Sequence, residues 1–186
     1  MRIVVINGQG GSGKDTFVDF CENFSNGVFS VSMVDGIKNS AKYLGWKGGK
    51  ELKDRKFLSD LKDLSAKYND FPFINTENIV LERVKFLKEA TNIPLNRIVC
   101  FVHAREPEDI KRWVEKYDAL TVLIRRTEIE GDYGNHADDE VFNWDYDYVI
   151  YNDSTIDTLK SSAKIFMSMV LEKEEEPWGS YNVKLP

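Results

Sequence analysis

Cysteine and histidine are scarce in this 186-residue chain, with two of each, and positive charge is in deficit, 25 Lys and Arg against 31 Asp and Glu. Each shortage excludes something. Cys21 and Cys100 lie in apolar segments without metal-like spacing, so both are expected to be buried core thiols of a reducing compartment. His103 and His136 stand too far apart in sequence to suggest a metal site. A formal charge of −6 argues against a broad electrostatic footprint for nucleic acid, while leaving room for a local basic cleft. No stretch approaches the roughly 18 apolar residues needed to span a membrane. The first residues lack the basic segment and longer apolar core of a signal peptide. A cytoplasmic protein is expected, with no nucleic-acid or membrane partner. Internal repeats and interdomain linkers are absent, and the length suits one domain over residues 1–186.

What is present is an alternation. Arg2–Asn7 is a short β-branched run, as in a strand buried on both faces. A glycine-rich turn follows, then a helix from about Gly13 to Phe24. Further strands are expected at Val28–Val34, Arg97–His103, Leu120–Ile124 and Tyr146–Tyr151. Helices are expected after Asp35, over Pro107–Lys116 and over Ile156–Glu172. Residues 50–92 read as two helices separated by Asn69–Thr76, with Pro72 between them. Residues 127–139 read as a polar loop, and 177–186 as a tail whose order depends on packing of Trp178. Strands alternating with helices predict an α/β fold, a three-layer sandwich with a parallel sheet of five strands. In such sheets a ligand binds at the carboxyl ends of the strands.

The chemistry begins directly after the first strand. Gly8-Gln9-Gly10-Gly11-Ser12-Gly13-Lys14-Asp15-Thr16 matches the G-x-x-x-x-G-K core of a P-loop. Its glycines let backbone N–H groups approach phosphate oxygens, and the following helix turns its positive end to the same anion. Lys14 can reach the terminal phosphates. These nine residues are the expected nucleotide-binding segment, with ATP and Mg²⁺ as cofactors. Asp15 occupies the place where the standard motif has the Ser or Thr that holds magnesium. Asp15 is expected to approach the metal partly through water, together with Thr16.

The Gly13-Lys14-Asp15 ending resembles that of the deoxynucleoside monophosphate kinases of phages and bacteria. Animal-type phosphomevalonate kinases share it, and dephospho-CoA kinases are more distant relatives. Other segments are similar to the same family: Val34-Asp35-Gly-Ile-Lys38, Leu44-Gly-Trp46, Lys53-Asp54-Arg55 with Leu61–Leu64, and Tyr148–Asp153. So are Arg125 and Arg126 with the His136–Glu140 stretch. One departure stands out: the family commonly has Asp-x-Arg after the third strand, and here the sequence is His103-Ala104-Arg105. The resemblance implies a P-loop NTPase fold of nucleoside monophosphate kinase type. An acceptor-binding helical insertion would cover 47–95 and a lid 127–140.

On that resemblance the chain is expected to move the γ-phosphoryl group of ATP to a nucleoside or deoxynucleoside monophosphate. Lys14, Asp35, Arg125 and Arg126 are the expected catalytic residues. Asp35, Lys38, Arg55, Arg105 and His136 are the expected acceptor-binding residues. Each has a plainer reading beside it. Asp35 can be a helix cap, Lys38 a solvated lysine, Arg55 part of a charged helix face, and the arginine pair and His136 surface residues. Glu106–Asp109 read as charges at a helix start. Trp144, Tyr146, Tyr148 and Tyr151 read as core packing ahead of a base-stacking platform. Two other functions stay open: a kinase for dephospho-CoA or another phosphorylated metabolite, and a non-catalytic ATP-binding module. A monomer or a homodimer is expected.

Overall fold

The computed structural model describes residues 1–49, 51–129, 140–172 and 183–185. Strands β1 (Arg2–Asn7), β2 (Val28–Ser32), β3 (Val99–His103), β4 (Leu120–Arg125), β5 (Tyr148–Tyr151) and β6 (Val183–Leu185) form one sheet. Their order is β2-β3-β1-β4-β5-β6, and every pairing is parallel. The five expected strands are all present, and the expected three-layer α/β arrangement is found. The correction is a sixth strand: Val183 pairs with Tyr148 and Leu185 with Ile150 on the outer edge of β5. Three residues carry no periodicity, so nothing in the sequence separated them from the tail. Trp178 lies outside the described residues.

The helices are α1 (Lys14–Glu22), α2 (Asp35–Tyr43), α3 (Leu52–Asn69), α4 (Phe71–Thr91), α5 (Pro107–Tyr117) and α6 (Ile156–Glu172). Asn69–Thr76 is not a loop. One residue, Asp70, separates α3 from α4, and it does so with a left-handed φ of 58°. Pro72 sits in the first turn of α4, where its missing N–H forfeits no helical bond. Thr76 is buried inside α4 and donates its hydroxyl to the Pro72 carbonyl at 2.7 Å.

The period of two along β1 divides the core. Val4 and Ile6 face α1 and α6, meeting Phe17, Cys21, Leu159 and Phe166. Ile3 and Val5 face the other way, toward Phe73, Val80 and Leu87 of α4 and Trp113 of α5. Phe166 touches three rings, those of Phe17, Phe101 and Tyr148, at 5.8, 6.2 and 5.5 Å. Burying such a side chain contributes roughly 1.5–3 kcal/mol. Cys21 and Cys100 lie in opposite layers, and burial raises both thiol pKa values, keeping them protonated. Among the described residues no helix is long and apolar enough to cross a membrane.

Candidate functional site

β1 sits mid-sheet between β3 and β4, so the chain leaves it at the point where successive crossovers diverge, the usual ligand position in such sheets. The loop that follows is shaped by close approaches. A Cβ on Gly8 would lie 2.6 Å from the Ile124 carbonyl oxygen of β4. Gly13 has φ +89°, and a Cβ there would collide with the side-chain amide of Asn152. That amide, just after β5, donates to the Ser12 carbonyl at 2.9 Å. The Ser12 N–H closes a turn onto the Gln9 carbonyl at 3.1 Å, and α1 opens with the Phe17 N–H on Gly13 at 2.9 Å. No side chain caps α1.

The loop fits a phosphate. Lys14 is nearly buried yet lines a cleft, and the Ser12 hydroxyl is buried with no hydrogen-bond partner among the described residues. Gln9 is buried, Gly10 and Thr16 are half-buried, and Gly11 and Asp15 are exposed. Among the described residues no three carboxylate, imidazole or thiol groups converge as a metal cage. A magnesium ion that keeps its waters and takes phosphate oxygens with one carboxylate is compatible with Asp15.

Asn7 ends β1 as a fully buried polar residue. Its side-chain oxygen accepts the Gly8 N–H at 2.8 Å, and its amide donates to the Arg105 carbonyl at 3.0 Å and to the Tyr146 hydroxyl at 2.8 Å. Tyr146 in turn donates to the Val141 carbonyl at 2.7 Å. One side chain thus ties the start of the phosphate loop to the turn after β3 and to the segment before β5. The sequence reading noted Asn7 only as a strand end. An amide closing a run of apolar residues was the signal available. Tyr146 and Tyr148 are buried and Trp144 and Tyr151 half-buried, in keeping with packing.

The cleft has a volume of about 450 Å³. Lys14 and Asp15 share its lining with Asp35 and Lys38 of α2, Arg55 of α3, His103 at the end of β3, and Arg105 just after it. Asp35 does not cap α2. It is the first helical residue, and its carboxylate accepts the Ser32 N–H at 3.2 Å while standing 3.5 Å from the Lys38 ammonium. His103 Nδ1 lies 3.6 Å from the Asp15 carboxylate. Burial pushes the imidazole pKa below its ordinary value, against the raising influence of Asp15. That burial favours the neutral ring.

Glu106 and Asp109 do more than charge the start of α5. Lys62 of α3 bridges them, with its ammonium 2.7 Å from Glu106 and 2.8 Å from Asp109, and all three line the cleft. Lys62 was not anticipated, because its partners lie more than forty residues away and nothing local marks the pairing.

Two expected residues stand apart from this lining. Arg125 stacks over Phe142 and Tyr151, at 5.2 and 6.0 Å from the ring centres. Arg126 pairs with Glu128 at 3.1 Å. The turn after them is fastened by Asp153, which accepts the Thr127 N–H at 2.6 Å and its hydroxyl at 2.7 Å. Those bonds hold the Asp153 carboxyl below its usual pKa. His136 lies outside the described residues.

No protein-family model and no curated protein matches the chain. Among solved structures it is similar to an unliganded sugar kinase from a Janibacter species. That likeness has 13% identity and a TM-score of 0.45, covering 92% of this chain and 97% of the other. It is also similar to a cysteine-to-alanine variant of the APS kinase of Mycobacterium tuberculosis, at 14% identity and a TM-score of 0.41, with coverage of 92% and 97%. At this distance neither likeness says what the chain acts on.

Proposed function

We propose that the chain is an ATP-dependent small-molecule kinase whose acceptor is a nucleoside or deoxynucleoside monophosphate. The observation that carries this reading is a shared cavity: Lys14 of the phosphate loop opens into the same cleft as Asp35, Lys38, Arg55 and Arg105. A donor phosphate on the loop and an anionic acceptor among those side chains would share one cleft.

The loop N–H groups and Lys14 hold the donor phosphates, and a magnesium ion held partly through Asp15 would supply charge neutralisation there. An acceptor oxygen forms the new P–O bond as the bond between the γ-phosphorus and the bridging oxygen breaks, and ADP leaves. When the attacking oxygen belongs to a phosphate monoester, whose second pKa is about 6, it is already an anion at neutral pH. No proton then has to be removed. Asp35 in this reading orients Lys38 and the turn after β2, while Arg55 and Arg105 bind the acceptor phosphate. Arg125 and Arg126 would have to reach the equatorial oxygens by leaving Phe142, Tyr151 and Glu128 when the lid closes.

The test is ADP formation from Mg-ATP with a panel of nucleoside and deoxynucleoside monophosphates, dephospho-CoA and a control without acceptor. Turnover with one monophosphate, lost at least a hundredfold in Lys14→Ala with melting unchanged, supports the proposal. Turnover with dephospho-CoA alone replaces the acceptor. ATP binding with no acceptor-dependent turnover sinks the kinase reading and leaves a nucleotide-binding module.

A further inference from the structure

The arginines that line the cleft with Lys14 come from two separate elements. Arg55 belongs to α3, and Arg105 to the turn between β3 and α5. α3 has no fully buried residue, so apolar burial does little to fix its height or rotation above the cleft. Lys62 lies seven residues after Arg55, about two turns or about 10 Å up the same helical face. Its side chain is only 12% exposed, and it is the group that crosses from α3 to Glu106, the residue next to Arg105, and to Asp109 in the first turn of α5.

We infer that Lys62 is a positioning residue for the acceptor: by bridging Glu106 and Asp109 it sets Arg55 and Arg105 at one fixed separation across the cleft. The inference rests on the kinase reading above and deepens it. Two further ties join α5 to the insertion, Arg112 with Asp70 and Lys116 and Tyr117 with Glu77. Of the three, only the Lys62 tie lines the cleft. A purely structural role would make the three ties equivalent; a positioning role makes the Lys62 tie distinct. The geometry also explains why a lysine is present where an apolar residue would be cheaper. One ammonium on two carboxylates makes two short charge-assisted bonds and so ties α3 to α5 at two points.

The experiment compares Lys62→Met, Lys62→Arg and the isosteric neutral cluster Lys62→Met/Glu106→Gln/Asp109→Asn with Arg112→Leu as a control. Removing Lys62 alone strands two poorly solvated carboxylates and can prevent folding; the neutral cluster avoids that. Expected in the neutral cluster is a rise of at least thirtyfold in KM for the monophosphate that turns over. The KM for ATP should stay within twofold, and kcat within about fivefold. Lys62→Arg should recover most of the loss. Backbone amides of residues 52–69 should exchange hydrogen faster, while those of α1 do not. Arg112→Leu should soften the fold to a similar degree without moving acceptor KM.

Acceptor KM within twofold of the parent, a parallel loss of ATP affinity, or an equal effect in Arg112→Leu would each overturn the inference. Absence of turnover with every acceptor in the parent protein is a failure of the kinase reading, a separate matter. The exchange measurement then decides the positioning role, and unchanged exchange in 52–69 overturns it.

Discussion

At Gly13 the loop has no room for a methyl group and the backbone no tolerance for one. Its φ of +89° lies in the left-handed region, and the Asn152 amide fills the space a Cβ would enter. The two obstacles can be separated. Gly13→Ala is expected to lose about 1–2 kcal/mol from conformation alone and to weaken ATP binding at least tenfold by displacing the Ser12 carbonyl. Asn152→Ala removes one hydrogen bond of about 1 kcal/mol and should weaken ATP binding less. The double variant relieves the collision and leaves the φ problem. Its ATP affinity should therefore lie above that of Gly13→Ala and below the parent's. Thermal melting with and without ATP, beside calorimetric titration, reads both quantities. If the double variant binds no better than Gly13→Ala, the Asn152 contact does not limit the loop.

Between elements the conspicuous feature is the row of charges joining α5 to α3 and α4. Arg112 makes a two-pronged contact with Asp70 and lies 3.8 Å over the Phe73 ring, and Glu77 receives Lys116 and Tyr117. The hydrogen bonds from Arg112 hold the Asp70 carboxyl below its ordinary pKa. A carboxylate lowered in the folded state stabilises above the unfolded value of about 4, and that stabilisation is lost as pH falls through the folded value. Both partners are more than a third exposed, so solvent limits the pair to under about 1 kcal/mol. Asp70→Asn keeps a residue suited to the left-handed φ of 58° at this junction. It should lower the urea midpoint at pH 7 and at pH 5, and by less at pH 3. An equal deficit at all three values would mean the carboxylate charge is irrelevant there.

These same contacts mark what the sequence conceals. The strands and most helices were legible because apolar spacing is local, and the glycine-rich turn after β1 because its glycines are contiguous. The α3–α4 junction was misread because Pro72 signals a break from its own position, whereas the first turn of a helix tolerates it. The long-range ties of Lys62, Asn7 and Asn152 were missed for one physical reason: they span 44 to 140 residues, and burial that makes such bonds strong is a property of the folded chain. Arg125 and Arg126 were noticed from their place at a strand end, which fixes where the backbone emerges and says nothing of the rings and carboxylate their side chains meet.

For the molecule as a whole, strand order separates the tasks of the sheet. The loop after β1 lies mid-sheet, and the chain leaving the ends of β2 and β3 contributes Asp35, His103 and Arg105 to the same cleft. β6 stands at the opposite edge, with β4 and β5 between it and β1, held to β5 by a short parallel ladder. Deleting residues 173–186 should therefore affect stability and leave phosphate binding intact. Roughly two or three ladder bonds of about 1 kcal/mol each would go, which for a chain of this size is a fall in Tm of about 4–12 °C. The N–H and C=O groups of β5 on that side would be left as an open edge, which templates association between chains. The expected result is a lower Tm, a greater tendency to aggregate on heating, and ATP affinity within twofold of the parent. Loss of ATP binding in a truncated chain that still melts cooperatively would show that the C-terminal segment reaches the site, and that the division of labour read from strand order is wrong.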